Sequence, residues 1–232
     1  MKTLYLPLWV VLSASLIAGC AQATVNAKEN PTSAISTSPL LEQLKQGNER
    51  FVQGAMIHPR QDPPRRQELA TAQSPRAIVL SCSDSRLPPE MIFDAGLGDL
   101  FVARVAGNIA EPATLASIEY AVAHFTPELL IVLGHDSCGA VDAALHAKPG
   151  QSSGSRDLDF LVSTLQSNLQ REHVSLKPEN SLLRKQVAGN VDAVAEELIE
   201  RSSIVRDRVH QGKLRILRAI YELKSGQVEF LD

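Results

Sequence analysis

The sequence predicts an α/β fold in which a mainly parallel β-sheet is flanked by α-helices. Short apolar segments typical of buried strands recur along the chain, and stretches with helical spacing of apolar residues separate them. Strands that alternate with helices usually form a parallel sheet covered on both faces. The chain has 232 residues, 44% hydrophobic and 21% charged, which suits one such domain and excludes a disordered or multi-span membrane protein.

The N-terminal segment, residues 1–19, has the layout of a signal peptide. Lys2 precedes an apolar run that ends in small residues, and the run is too short for a good membrane span. The ending 17–20 (IAGC) resembles the lipobox of bacterial lipoproteins, which implies a lipid on Cys20; the alternative is a plain signal peptide with a chance cysteine. Residues 20–38 are small and polar, which predicts a flexible tether. We therefore expect an exported, periplasmic protein that touches the membrane only through a lipid on Cys20.

The first half of the domain predicts three helices and two strands. Apolar residues fall on one face over 40–52, and a second short helix is expected at 65–72, after a Pro-rich loop. The apolar segments 77–80 and 100–105 predict strands. Pro112 suits the first turn of a helix over 112–125.

The second half continues the alternation of strands and helices. The segment 129–133 (LLIVL) is the clearest strand, and it is followed by expected helices at 139–146, 157–171 and 179–209. A further strand is expected at 214–221. After the turn at Ser225-Gly226, residues 227–231 are expected to pair with it.

Two of the predicted strands end in reactive residues. Cys82 follows the strand 77–80, whereas His135 and Cys138 follow the strand 129–133. The carboxyl ends of parallel strands meet at one edge of a sheet, so these three side chains are expected to converge there. Two thiolates and one imidazole suit zinc, and three protein ligands leave a fourth position open.

The spacing alone leaves two other interpretations open. Cys82 and Cys138 could form a disulfide in an exported protein, or they could be small buried apolar residues. Both cysteines lie among polar, Gly-containing turn residues, which argues against simple burial. A disulfide, in turn, explains neither His135 nor the nearby pair of Asp84 and Arg86, which could itself be only a surface ion pair.

The two motifs, 82–86 (CSDSR) and 134–140 (GHDSCGA), resemble those of the β-class carbonic anhydrases. The resemblance covers about residues 40–232, and we expect a catalytic domain over 39–232. Asp136 departs from the family pattern, in which Thr or Ser is commoner, and little effect is expected. Further segments that resemble the family are 48–51 (NERF), 73–75 (QSP), 104–108 (RVAGN), 117–121 (SIEYA) and 221–226 (YELKSG).

The resemblance implies a zinc enzyme that hydrates carbon dioxide to bicarbonate and a proton through zinc-bound hydroxide. Zinc would be held by Cys82, His135 and Cys138. Arg86 would orient the Asp84 carboxylate, which accepts a hydrogen bond from the hydroxide. In a closed form, Asp84 would instead be the fourth zinc ligand.

The resemblance also implies a substrate pocket and an oligomer. Gln73 would donate a hydrogen bond to the substrate, as would the backbone N–H of Gly139. Phe101, Ala106 and Tyr120 would line the pocket, some of them from a partner subunit. The family fold has an N-terminal helical arm that wraps the partner, so a homodimer or higher homo-oligomer is expected. The net charge of −3 gives no basic surface for nucleic acid.

Val79 and Gln73 predict the non-allosteric, plant-like subtype. Val79 stands where the bicarbonate-regulated subtype has a tryptophan, three residues before the first zinc cysteine. Two alternative functions remain. One is a carbon disulfide or carbonyl sulfide hydrolase on the same fold. The other is a non-catalytic lipoprotein with a Cys82–Cys138 disulfide.

Overall fold

The computed structural model describes residues 38–148, 150–170 and 181–231. The expected signal peptide, the lipid site at Cys20 and nearly all of the tether lie outside the described residues. Within the described ranges, no helix is both long enough and apolar enough to span a bilayer.

A five-stranded sheet forms the centre of the fold, in the order β2-β1-β3-β4-β5. The first four strands run parallel, and the last is antiparallel to its neighbour. The predicted α/β class is therefore confirmed, including the antiparallel pairing at the C-terminus. The strands are β1 (Ala77–Ser81), β2 (Leu100–Arg104), β3 (Leu129–His135), β4 (Arg215–Tyr221) and β5 (Val228–Leu231).

Helices flank the sheet, and most begin where the sequence predicts. They are α1 (Pro39–Val52), α2 (Pro63–Glu68), α3 (Pro89–Ile92), α4 (Pro112–Phe125), α5 (Gly139–His146), α6 (Arg156–Leu169), α7 (Leu182–Arg201) and α8 (Ser203–His210), with a 3₁₀ turn at Ala106–Asn108. The segment 179–209, expected to be mostly helical, forms two helices in the part that the structure describes. Ser202 adopts an extended backbone, and its hydroxyl accepts a hydrogen bond from the Val205 N–H, which starts a new helix.

Two central strands and α7 form the core around the site. Every residue of β1 and β3 is buried, which explains their unbroken apolar sequences. The helix α7 packs closely on the end of β3: a Cβ atom on Gly134 would lie 2.7 Å from Cγ2 of Val191. This contact leaves no room for a side chain directly before His135, so the helix and the strand end are held in a fixed relation.

The N-terminal helix is fixed to the domain by a partly buried ion pair. Nε of Arg50 in α1 donates to Oδ2 of Asp94 at 2.6 Å, and the backbone N–H groups of Ile57 and His58 donate to the same carboxylate at 3.0 Å. The Asp94 side chain is fully buried. Burial opposes its ionisation, but these hydrogen bonds outweigh burial and hold the pKa of Asp94 below its usual value.

Asp94→Asn is expected to lower the free energy of unfolding by about 3 kcal/mol near neutral pH, because Arg50 loses its buried partner. A lowered carboxyl pKa stabilises the fold above the unfolded pKa of 3.8 and ceases to do so as pH falls through the folded value. The difference between the two proteins should therefore shrink in acid. Urea unfolding at neutral and acidic pH measures it, with the exposed Asp207→Asn as the control. A difference independent of pH would contradict this interpretation.

Candidate metal centre

Three potential metal ligands converge at the carboxyl edge of the sheet. Cys82 directly follows β1, His135 is the last residue of β3, and Cys138 is the N-cap residue of α5. Because β1 and β3 are neighbours in register, their ends lie side by side. One ligand atom from each residue lies within 4.8 Å of the other two, and all three residues are buried. The convergence predicted from the sequence is therefore present in the fold.

The His135 ring is oriented so that one nitrogen faces the two sulfurs. Nδ1 lies 2.8 Å from the carbonyl oxygen of Asp136. A carbonyl can only accept a hydrogen bond, so Nδ1 carries the proton and Nε2 keeps its lone pair. Nε2 is buried and has no hydrogen-bond partner among the residues that the structure describes. A buried imidazole nitrogen of this kind is suited to a metal ion.

The two cysteine thiols shift each other's pKa in opposite directions. A hydrogen bond from the Cys138 thiol, opposed by burial, lowers the pKa of Cys82, helped by contacts with His135 and the Gly107 N–H. The same sulfur–sulfur contact, together with burial, raises the pKa of Cys138. The pKa of His135 is raised, because its contacts with Cys82 outweigh burial. A divalent cation would supply the positive charge needed for both thiols to ionise.

The donor set fits zinc. Two sulfurs and one imidazole nitrogen are typical zinc ligands, and three protein ligands are the usual number at a catalytic zinc site. Both cysteines are free thiols in the structure. The alternative of a Cys82–Cys138 disulfide is therefore not favoured.

Asp84 and Arg86 form a bidentate ion pair at the edge of the candidate metal centre. Nε of Arg86 donates to Oδ1 at 2.9 Å and Nη2 donates to Oδ2 at 2.8 Å, while the Arg86 backbone N–H donates to Oδ1 at 2.9 Å. These bonds, with Arg86 the largest cause, hold the pKa of Asp84 far below its usual range. Oδ2 of Asp84 lies 3.8 Å from Nε2 of His135. An ionised carboxylate therefore stands beside the metal ligands.

Arg104 fixes the loop that carries Cys82 and Asp84, a role that sequence reasoning missed. Its Nε donates to the Cys82 carbonyl at 3.2 Å, and its Nη2 donates to the Asp84 carbonyl at 2.6 Å. The residue lies at the end of β2, directly opposite Ser81. Its charge at the end of an otherwise apolar strand could have indicated a special role. The partners could not have been predicted, because they are backbone carbonyl groups, which leave no pattern in the side chains.

The residues expected in the substrate pocket fall into two groups. Ala106 starts the 3₁₀ turn whose next residue, Gly107, donates to Sγ of Cys82. Gly139 directly follows Cys138 and is exposed, with open space where a Cβ would stand. These two positions adjoin the metal ligands within one chain.

Gln73, Phe101 and Tyr120 lie elsewhere in the same chain. Gln73 is exposed and precedes β1, so it stands at the amino edge of the sheet, whereas Cys82 stands at the carboxyl edge. Phe101 is the second residue of β2. Tyr120 is half exposed on α4, and the rings of both residues pack on Phe125, with centroids 6.0 Å and 5.6 Å away. A single chain therefore does not bring these three side chains together with the metal ligands.

Asp136, which departs from the expected motif, makes a structural contact. Its Oδ1 accepts a hydrogen bond from the Leu223 N–H at 2.9 Å, and its backbone N–H donates to the Tyr221 carbonyl at 3.0 Å. The residue thus links the loop after His135 to the turn between β4 and β5.

Comparisons with known proteins agree with this geometry. The family model described as carbonic anhydrase matches residues 77–228. Carbonic anhydrase 2 of Mycobacterium tuberculosis (strain H37Rv) is 41% identical over 190 residues, covering 82% of this chain and 90% of the relative. The carbonic anhydrase of Mycolicibacterium smegmatis is 40% identical over 80% of this chain and 89% of the relative.

A solved structure extends the likeness to the fold and the class. The β-carbonic anhydrase CcaA superposes with a TM-score of 0.61 at 28% sequence identity, covering 83% of this chain and 95% of the other. With the family model, the relatives and the Cys-His-Cys centre in agreement, the chain belongs to the β-class carbonic anhydrases and is an enzyme of that family.

Proposed function

We propose that the chain catalyses the reversible hydration of carbon dioxide to bicarbonate and a proton at a zinc ion held by Cys82, His135 and Cys138. The observation that carries the proposal is the convergence of two sulfurs and an unpartnered imidazole nitrogen beside an ionised carboxylate. When bound, zinc supplies Lewis acidity that lowers the pKa of a water ligand to about 7.

Asp84 orients the reacting water. Its low pKa keeps the carboxylate ionised at any physiological pH, so it acts only as a hydrogen-bond acceptor. Arg86 holds both oxygens through its fork, which fixes the plane of the carboxylate. Oδ1 accepts from both Nε and the backbone N–H of Arg86, whereas Oδ2 accepts from Nη2 and keeps a second lone pair on the side of His135. When an O–H of the reacting water donates to Oδ2, a lone pair on the water oxygen is directed away from Asp84 and toward the substrate.

The arrangement of Asp84 favours an open form, in which its carboxylate does not bind zinc, over the closed form. In the closed form the carboxylate would bind zinc itself, and it would have to release at least part of the Arg86 fork. Here Arg86 binds both oxygens, and its own pKa is raised by that contact. The intact pair therefore leaves the fourth zinc position to solvent and substrate.

Gln73, Phe101 and Tyr120 complete the pocket from a partner subunit in this proposal. Their distance from the Cys82 edge within one chain supports the expectation of a homodimer or larger homo-oligomer, in which the amino edge of one sheet reaches the carboxyl edge of another. The carbon dioxide pocket would then have apolar walls and the Gln73 amide as a donor. The Gly139 N–H supplies a second donor from the metal-binding chain.

Subunit mixing tests this arrangement. Cys82→Ser removes a zinc ligand and Gln73→Ala removes the donor, so each variant alone is expected to lose most activity. A hybrid dimer of the two contains one site with Cys82 from one chain and Gln73 from the other. Mixing the purified variants under exchanging conditions should therefore restore carbon dioxide hydration. Mixed protein that shows only the mean of the two separate activities would place Gln73 outside the partner's site.

We also propose that the chain is exported to the periplasm and anchored by a lipid on Cys20. The apolar N-terminus and the IAGC ending support this. Metabolic labelling with radioactive palmitate should mark the wild-type chain but not Cys20→Ser, and a wild-type chain without label would contradict the anchor.

A parallel assay tests the substrate. The purified chain is expected to hydrate carbon dioxide in a stopped-flow indicator assay and to release little sulfide from carbon disulfide or carbonyl sulfide. Sulfide release without carbon dioxide hydration would instead support the alternative hydrolase on the same fold. Zinc-loaded protein that catalyses neither reaction would contradict the proposed activity.

A further inference from the structure

Two buried asparagines form a hydrogen-bonded chain that ends at the Cys82 sulfur. Nδ2 of Asn168 in α6 donates to Oδ1 of Asn190 in α7 at 2.9 Å, and Nδ2 of Asn190 donates to the Gly107 carbonyl at 2.8 Å. The Gly107 N–H in turn lies 3.4 Å from Sγ of Cys82. We propose that Asn168 and Asn190 are positioning residues that hold Gly107 against the Cys82 thiolate, and so set how strongly this sulfur binds zinc. The inference rests on the proposed zinc site.

The turn at Gly107 is supported by contacts from other elements. Gly107 has φ +68° and the next residue, Asn108, has φ +45°, so two successive residues adopt the left-handed region. Glycine adopts that region freely and asparagine tolerates it, which suits this sequence to a sharp turn. A Cβ on Gly107 would lie 3.0 Å from two carbon atoms of Leu165, so the backbone packs closely against α6. The position of the Gly107 N–H therefore depends on the contacts that hold this turn.

The asparagine amides supply that support from the apolar interior. Asn168 and Asn190 are each 1% exposed. A buried amide costs free energy unless it is hydrogen-bonded, so a pair at these positions calls for a specific role. The neighbours of Asn190 along α7, Ala188 to Val194, are all buried as well. The Asn190 side chain joins Gly107 to a helix 83 residues away along the sequence.

The N–H group at the end of the chain acts on the sulfur itself. A hydrogen bond to a thiolate stabilises its negative charge and lowers the energy of its lone pairs. Groups that donate to metal ligands tune both the affinity and the electronic properties of the metal, and their loss costs about 10–100-fold in affinity. Cys138 is placed differently, at the N-cap position of α5, where its side chain makes no capping hydrogen bond. The asparagine chain therefore acts on one of the two sulfurs.

Asn190→Leu tests the proposal, because leucine has a similar volume but no donor for the Gly107 carbonyl. Zinc affinity, measured by competition with a chelator, is expected to fall about 10–100-fold. In the cobalt-substituted protein, the thiolate-to-cobalt charge-transfer band should move to longer wavelength, since the sulfur lone pairs rise in energy. Leu198→Ala is the control: it opens a cavity in the same helix, at a buried residue two turns further on. It should lower stability and leave the band and the affinity unchanged.

Two further measurements cover the case in which Asn190→Leu does not fold. Asn168→Leu removes the outer hydrogen bond to Asn190 and leaves the Asn190–Gly107 bond in place, so it should shift the band in the same direction by a smaller amount. In wild-type protein loaded with ¹¹³Cd, the amide proton of Gly107 should show scalar coupling to the metal through the N–H···S bond.

Each outcome bears on one proposal. Wild-type protein that binds no zinc would contradict the proposed function. Wild-type protein that binds zinc, with an unchanged band and affinity in Asn190→Leu or with no ¹¹³Cd coupling at Gly107, would overturn the role of the asparagines alone.

Discussion

Cys138→Ser is expected to lose its bound zinc and, with it, carbon dioxide hydration. A serine hydroxyl does not ionise near neutral pH, and its oxygen is a poorer ligand for zinc than a thiolate. The centre would keep only Cys82 and His135, which cannot complete a three-ligand site. Removal of a partner that merely orients a ligand costs about 10–100-fold in affinity, so removal of a ligand should cost more than about 100-fold.

Metal analysis after dialysis measures this effect, together with a stopped-flow hydration assay. Ser137→Gly is the matched control, because Ser137 is the exposed neighbour of Cys138 and its φ of +53° suits glycine. The control should keep its zinc and its activity. Cys138→Ser protein that still carries one zinc per chain would remove Cys138 from the ligand set.

Asp84→Asn is expected to keep zinc but to lose activity by about 10²-fold or more, the order of loss when a reacting group is no longer held in position. The ligand atoms of Cys82, His135 and Cys138 are untouched by the change, which explains the retained metal. An amide is neutral and presents a donor at one of the two positions, so it cannot hold the reacting water as a carboxylate does. The amide nitrogen also cannot accept a hydrogen bond, so one of the two side-chain bonds from Arg86 is lost.

The pH dependence of this loss follows from the lowered pKa of Asp84. A carboxylate whose folded pKa is lowered is ionised at all pH values above it, so the wild-type group does not titrate near neutral pH. The wild-type profile should therefore show no ionisation of Asp84 between about pH 6 and pH 9, and the loss in Asp84→Asn should persist across that range. Asp142→Asn, the same change at an exposed site in α5, is the control. A loss that disappears within this range, or full activity in Asp84→Asn, would contradict the role of Asp84.

The convergence of the three candidate metal ligands was predictable because the sequence places them at strand ends. Cys82 and His135 each follow an unbroken apolar segment, and neighbouring parallel strands must end at the same edge. The spacing of His135 and Cys138 adds the third ligand from the next turn. Local pattern and sheet topology were sufficient here, since no long-range side-chain contact had to be known.

The supports of the site were not predictable, because they depend on contacts between distant segments. Arg104 reaches two carbonyl groups across neighbouring strands, and Asn190 reaches Gly107 from a helix later in the chain. Neither contact leaves a spacing in the sequence. The role of Gln73 could not be assigned from one chain. The residue precedes β1 and Cys82 follows it, so the pocket proposed above requires a second chain to supply Gln73.

The break between α7 and α8 was not predictable from the sequence pattern either. Residues 182–210 carry helical patterns on both sides of Ser202, so periodicity alone favours one helix. The difference comes from one hydroxyl that accepts the Val205 N–H and from an extended backbone at Ser202. A serine inside a helical pattern is common, and only its backbone geometry distinguishes a cap from a surface residue.

Stopped-flow carbon dioxide hydration before zinc removal, after it, and after zinc is restored tests the central claim most directly. We expect activity to disappear with the metal, two thiols per domain to become titratable, and activity to return when zinc is added back at one ion per chain. Hydration that continues at full rate in protein shown to be free of metal would contradict the account.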